Sequence, residues 1–356
     1  MNAGNLKGAL LEFCIRNILY NCGFHKINPD GMFIYERSGL CFINGKGASH
    51  DADVLMEPPI QLPFSNPSRI IFECKAYEKK TGLAIIRNAL GLRYDINEFE
   101  IVTEQSIIAR KNNRRASYAI SNRIRYNYQV GVACVDSFSK PAIEFAANNK
   151  IHLLSLKWIL PENCIEKFHE IDKNYVTTIG DSNCENIYKY FKDRDINSKS
   201  KSEHQNTIQF LSTDNKIGLI TKTFNSLIQQ CFIGLLETGD LIFLFAETNQ
   251  SIDELIKRNP YNKGLKTQIH YYQNQPDIWE LTIAEDFLQT SNIPKFKFYI
   301  PDSILNNWKQ HNRDKKHATS LKEQYFSKIY IFTNLIKKDL PFFILKIDTD
   351  WLDQIK

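Results

Sequence analysis

Glu73 and Lys75 stand two residues apart in the apolar run IIFECKAY (70–77). Side chains alternate faces along a strand, so Ile70, Phe72 and Cys74 point one way and Glu73 and Lys75 the other, side by side. An acid and an amine so placed suit either an exposed sheet face carrying an ion pair, or an active site. HDADVL (50–55) repeats the pattern: Asp51 and Asp53 share one face, Ala52 and Val54 the other. Strands joined by a hairpin-like loop pair antiparallel, which would bring Asp53 beside Glu73. Two carboxylates and a strand carbonyl, that of Cys74, suit a hard divalent cation that keeps several waters: Mg2+, with Mn2+ as a substitute. Phosphodiester hydrolysis calls for these parts. A metal acidifies a bound water and offsets charge on the pentavalent transition state, carboxylates hold it, and a lysine orients the water or steadies developing charge.

The surrounding sequence supplies elements to position these groups. Residues 5–22 read as a helix, with Leu6, Leu10, Phe13, Cys14 and Ile18 at spacings of three and four, stopped by Gly23. Residues 32–36 and 40–43 read as strands joined by a turn at Ser38-Gly39. Asp51–Met56 and Arg69–Ala76 read as two more, separated by EPPIQLPFSNPS, which has loop chemistry. Residues 82–97, and parts of 104–125, read as helical. Val130–Val135 and Ile151–Leu156 are short apolar strands. Between them, Ser137–Asn148 reads as a helix with Ser139 near its N-cap and Pro141 in its first turn. Strand, helix, strand at 130–156 implies parallel pairing. The first half is expected to be α/β with a mixed sheet.

Asp53 followed twenty residues on by Glu73-Cys74-Lys75 resembles the PD-(D/E)XK nuclease signature. The helix GALLEFCIRNILYNCGF resembles the opening helix of Mrr-like restriction endonucleases, with Glu12 at the matching distance before Gly23-Phe24. VGVACVDSFSKPAIEFAANNKIHLLSL resembles their closing strand–helix–strand, and the order of elements agrees over residues 4–157. The resemblance implies a restriction-endonuclease-like core that cleaves DNA with Mg2+, usually in restriction or phage defence. It makes Asp53, Glu73 and Lys75 the catalytic trio and Glu12 a supporting acid that orients the metal's waters. The chain departs from the family in several places. Many Mrr-like members have Gln at the position of Glu73, and a glycine-rich approach to the aspartate where this chain has GASHDA. The loop before ExK is long, and 101–128 looks like an insertion. These departures bear on substrate form and specificity more than on chemistry.

Positive charge lies in the first half. Residues 1–160 hold 20 Lys and Arg against 14 Asp and Glu, whereas residues 161–356 hold 25 against 26. Within the insertion, RKNNRRASYAISNRIR (110–125) carries Arg110, Lys111, Arg114, Arg115, Arg123 and Arg125 and no acid. Such a segment suits either a solvated surface helix or a phosphate-neutralising one, where Tyr118 could stack on a base, with Tyr126 and Tyr128 just beyond. Arg87 and Arg93, on the helix after ExK, are further candidates to face a nucleic-acid backbone. The eight cysteines form no CxxC pair and no zinc-finger spacing with His, and are expected to be buried reduced thiols.

Three segments are expected: a nuclease domain (1–170), a connecting helix and polar linker (171–206), and an α+β domain (207–356) whose role the sequence does not assign, recognition and partner binding being the candidates. Asp193–Asn206 reads as exposed linker. Beyond it, TIQFL, GDLIFLFA, TQIHYY, IWELTI, KFKFYI and FFILKI read as strands, and the regions around 222–236 and 319–337 as helical. Near-neutral charge there argues against a large DNA-binding face. No segment is apolar enough to span a bilayer and no signal peptide opens the chain, so a cytoplasmic protein is expected. DNA is the expected substrate, with RNA as an alternative. The expected state is a homodimer or a subunit of a defence complex. A non-catalytic nucleic-acid-binding or assembly subunit is the reading from a different class.

Overall fold

The computed structural model describes residues 1–31, 33–37, 39–61, 65–97, 126–195, 200–246, 264–272, 274–284, 295–332 and 342–355. Helix α1 (Ala3–Asn21) starts where the Asn2 side chain accepts the Asn5 N–H, and the chain turns away at Gly23, φ +88°. Leu6, Leu10, Cys14, Ile15 and Ile18 are fully buried, as expected of a helix enclosed between layers.

Strands β1 (His25–Lys26), β2 (Ile34–Arg37), β3 (Leu40–Asn44), β4 (Ser49–Asp51), β5 (Val54–Glu57) and β6 (Ser68–Lys75) follow. β2, β3 and β4 form a small antiparallel sheet. β1, β5 and β6 join β7 (Asn127–Cys134) and β8 (His152–Ser155) in a five-stranded sheet of order β1-β5-β6-β7-β8. β5 runs antiparallel to β6, while β6, β7 and β8 are parallel. The expected strand Asp51–Met56 is therefore two strands in two sheets. The break falls at Ala52 and Asp53, because Ala52 N–H donates to Cys41 while Val54 begins pairing with Phe72.

Helices α2 (Leu83–Asn97) and α3 (Lys140–Asn149) cover one face of the large sheet and α1 the other. Ser139 is the N-cap of α3, though its side chain makes no capping bond. β6 is buried on both faces: Ile70, Phe72 and Cys74 join the α1 core, and Ile71 the α2–α3 core. Glu73 and Lys75 extend the Ile71 face towards the strand end.

Among the described residues six helices come next: α4 (Glu162–His169), α5 (Lys173–Ile179), α6 (Asp181–Lys192), α7 (Ser200–Glu203), α8 (Gln205–Thr213) and α9 (Ile217–Ile228). α6 and α9 pack on α1 through Phe191, Ile220 and Phe224, with the Phe13 and Phe191 rings 4.9 Å apart. The stretch expected as linker thus contains α7 and the start of α8. TIQFL is helical, not a strand: Thr207 and Leu211, one turn apart, are its buried positions.

The rest forms a closed barrel of seven strands, β9 (Cys231–Leu236), β10 (Leu241–Ala246), β11 (Leu265–Tyr272), β12 (Gln275–Ile283), β13 (Lys295–Tyr299), β14 (Lys328–Phe332) and β15 (Phe342–Ile347). Their order is β10-β13-β12-β11-β15-β14-β9, and β9 closes on β10. Among these pairs only β11–β15 is parallel. α10 (Asp302–Gln310), α11 (Lys315–Tyr325) and α12 (Thr349–Gln354) accompany it. The helices expected at 222–236 and 319–337 stop at Ile228 and Tyr325, and CFIGLL and KIYIF are strands. Within GDLIFLFA, the strand LIFLFA is apolar throughout because both its faces are covered. Ile242 and Leu244 join the barrel core, while Phe243 joins the α1 core. The chain is a mixed α/β protein with several sheets, and no described helix is long and apolar enough to cross a membrane. All eight cysteines are buried free thiols.

Candidate active site

The break before β5 creates the site. Asp53 leaves the ladder one residue before the Val54–Phe72 pair, where β6 runs on past its partner to Glu73, Cys74 and Lys75. The Cys74 N–H would be left without a partner on that side. Instead it donates to Asp53 Oδ2 at 2.8 Å. The aspartate is therefore fixed against the ExK strand by a charge-assisted hydrogen bond.

Lys75 Nζ lies 2.9 Å from Glu73 Oε2, with both side chains about three-quarters buried. Burial raises the Glu73 pKa, Lys75 opposes this, and the charges of Asp53 and Asp51 add to it. For Lys75, burial works against the ammonium, but Glu73 and then Asp53 hold its pKa above the ordinary lysine value.

Glu12 reaches the cluster from α1, on the opposite side of β6. Burial first, then the charge of Asp53, pushes its pKa up to about 7. Lys192, at the end of α6, opposes that shift, its Nζ 2.8 and 2.6 Å from the two Glu12 oxygens. Asp51, on the rim, shares the field of Asp53, Lys192 and Lys75. Two carboxylates are thus closed onto lysines. Among the described residues no group of three or more His, Cys, Asp or Glu is arranged to hold a metal ion. The donor types still fit a hard divalent cation: Asp53, Glu73 and the Cys74 carbonyl are oxygens, and Glu12, Asp51 and Glu73 all have pKa values raised in part by Asp53's charge, which a cation would relieve.

His50 lies outside this chemistry. Its Nε2 is 2.7 Å from Asp95 Oδ2, and Asp95 also accepts the Gly47 and Ala48 N–H groups. Asp95 thereby latches the β3–β4 turn to α2.

The candidate nucleic-acid residues are divided. Arg93 donates to the Asn149 and Lys150 carbonyls at 2.8 and 3.1 Å, closing the end of α3. Arg87 is exposed, 5.8 Å from the Phe145 ring. Tyr126 and Tyr128 pack with Arg69, whose guanidinium lies 3.2 Å from the Tyr126 ring centre and donates to Tyr128 Oη. Arg110, Lys111, Arg114, Arg115, Tyr118, Arg123 and Arg125 lie outside the described residues.

Sequence reasoning missed Lys192, whose pairing with Glu12 spans 180 positions and leaves no local signal. It also passed over Arg16. The i, i+4 pair Glu12–Arg16 on an apolar helix was readable, since two charges on a buried face need a local reason.

No protein-family model matches the chain, and no curated protein matches it. A crystal structure of a protein of unknown function, AF1548, is similar over 61% of this chain and 95% of that chain, at 13% identity and a TM-score of 0.32. Similarity at that level carries no argument about fold or function.

Proposed function

We propose that the chain is a Mg2+-dependent endonuclease of the PD-(D/E)XK superfamily, Mrr-like in its first 170 residues, that hydrolyses DNA phosphodiester bonds in restriction or anti-phage defence. The observation that supports this reading most is the hydrogen bond fixing Asp53 to Cys74 N–H beside the Glu73–Lys75 pair. Asp53, Glu73 and the Cys74 carbonyl would hold Mg2+ or Mn2+. The cation would supply an acidified water and neutralise phosphate charge. Lys75, kept protonated by its carboxylate neighbours, donates to the attacking water or to a phosphate oxygen. Glu12, with its pKa near neutrality, accepts a proton or hydrogen-bonds a water at the back of Asp53. Cutting both strands of a duplex is easiest with two such sites, so a homodimer or a defence complex is part of the proposal. The barrel half would serve recognition or partner contact.

One observation favours a second reading, a non-catalytic nucleic-acid-binding subunit: Glu73 and Glu12 are both closed onto lysines. Incubation of the full chain with duplex DNA, single-stranded DNA and RNA in Mg2+, Mn2+ or chelator separates the readings. Metal-dependent cleavage of DNA is expected. Cleavage of RNA alone moves the substrate, and binding without cleavage in every metal supports the second reading.

A further inference from the structure

A second set of charged groups lies on the far side of Asp53. A small pocket is lined by Arg16 and Tyr20 of α1, Lys26 of β1, Val54, Leu55 and Met56 of β5, Arg194 and Asp53 itself. Glu12, Arg16 and Tyr20 follow at intervals of four on α1, so one polar stripe runs from the carboxylate cluster into this pocket. Three cations face one carboxylate there.

Arg16 is 5% exposed, and its Nε has no hydrogen-bond partner. Among the described residues its guanidinium donates to the Phe191 carbonyl alone, and no carboxylate lies within ion-pair distance of it. Burial works against its charge, Glu12 supports it, and the positive charge of Arg194 works against it again. Arg194 is anchored by Glu36 at 3.0 Å and the Ile27 carbonyl at 3.0 Å, and Lys26 lies 3.8 Å from Asp195. A buried guanidinium with an idle donor, beside a second guanidinium and an ammonium, is the arrangement that an anion completes. The enclosed volume is ≈ 10 Å³, room for one oxygen-sized group, so the rest of the anion would stay at the mouth.

We propose that Arg16, Lys26 and Arg194 form a subsite for a DNA backbone phosphate next to Asp53, seating one non-bridging oxygen. This deepens, and rests on, the nuclease reading: it sets the strand's register by holding a phosphate beside the one Asp53 addresses. Asp53 shares the pocket, so its charge weakens the anion.

The test reads binding, not cleavage. The full chain is titrated with inorganic phosphate in EDTA, and its thermal midpoint is compared with that in sodium chloride of equal ionic strength. A phosphate-specific rise is expected, reduced at least about fivefold in apparent affinity by Arg194→Gln and by Lys26→Gln, and strengthened several-fold by Asp53→Asn. Arg16→Met risks misfolding, so the rim variants carry the test. Duplex DNA binding in EDTA should lose about one unit of salt dependence in Arg194→Gln. No phosphate-specific rise, or an equal rise in Arg194→Gln, overturns the subsite. A normal phosphate effect with unchanged DNA binding in Arg194→Gln overturns its assignment to DNA. Absence of cleavage with this pattern intact would remove the nuclease reading and leave the anion site standing.

Discussion

Lys192 Nζ sits 2.8 and 2.6 Å from the two carboxylate oxygens of Glu12, across 180 positions of sequence. The pair locks α6 to α1 and sets the charge of the carboxylate behind Asp53. Both partners are largely buried, so the pair must be read as a unit: removing one takes from the other its nearest counter-charge.

Lys192→Met should cost on the order of 3 kcal/mol of stability, the usual penalty for breaking a buried pair. Adding Glu12→Gln should recover part of that loss. Denaturant unfolding of the two single variants and the double variant gives the coupling. Losses that simply add would show that the two groups do not interact.

Glu12 also predicts a pH dependence. Its folded pKa, about 7, lies above the ordinary value of 4.5. The stability it contributes is fully present below about pH 4.5 and is lost as pH rises through 7, by at most about 3 kcal/mol. Unfolding free energies of the metal-free protein between pH 4.5 and 8 should show this fall, and Glu12→Gln should flatten it. Parallel curves for the two proteins would contradict the assignment.

Asp53→Asn keeps an acceptor for the Cys74 N–H and removes a charge. The fold should persist, and the Glu12 pKa should drop, because Asp53's charge is its second cause of elevation. A carboxyl-carbon NMR titration reads the shift directly. An unchanged Glu12 pKa would mean that the two carboxylates are not neighbours.

Lys322 tests the barrel. It is 4% exposed on α11, with Nζ 5.0 Å from the Trp351 ring and 5.5 Å from the Tyr271 ring, and burial pushes its pKa down to about 8 from 10.5. The stability linked to this lysine is present above about pH 10.5 and lost as pH falls through 8. Lys322→Met should therefore stabilise the protein at pH 7 by roughly 1–3 kcal/mol, less whatever the cation–π contacts supply. The gain should shrink towards pH 10. A loss of equal size at pH 7 and pH 10 would contradict this.

The elements of the first half were legible because each carries a local period. The spacing of Leu6, Leu10, Cys14 and Ile18 marks α1, and the apolar runs at 70–72 and 130–135 mark strands buried on both faces. The break at Asp53 was not, since Ala52-Asp53 continues the alternation of HDADVL, and only the pairing of Ala52 with Cys41 divides it. TIQFL fits either period over five residues, and burial of Thr207 and Leu211 on one helix face decides it. The α9–β9 and α11–β14 boundaries carry no glycine or proline, so both helices were read too far. Barrel closure depends on β9 meeting both β10 and β14, a non-local pairing that no window of sequence contains. In the site, the Glu73–Lys75 adjacency was readable from alternation and Arg16 from its spacing to Glu12, but the charges supplied by Lys192 and Arg194 come from packing.

The most direct test of the central proposal is plasmid nicking and linearisation in Mg2+ or Mn2+ by the wild type, Glu73→Ala and Lys75→Ala, with folding of each checked by circular dichroism. The proposal expects metal-dependent cleavage by the wild type that falls at least about a hundredfold in both variants, the loss of one transition-state contact. Cleavage that persists in folded Glu73→Ala and Lys75→Ala protein would contradict it.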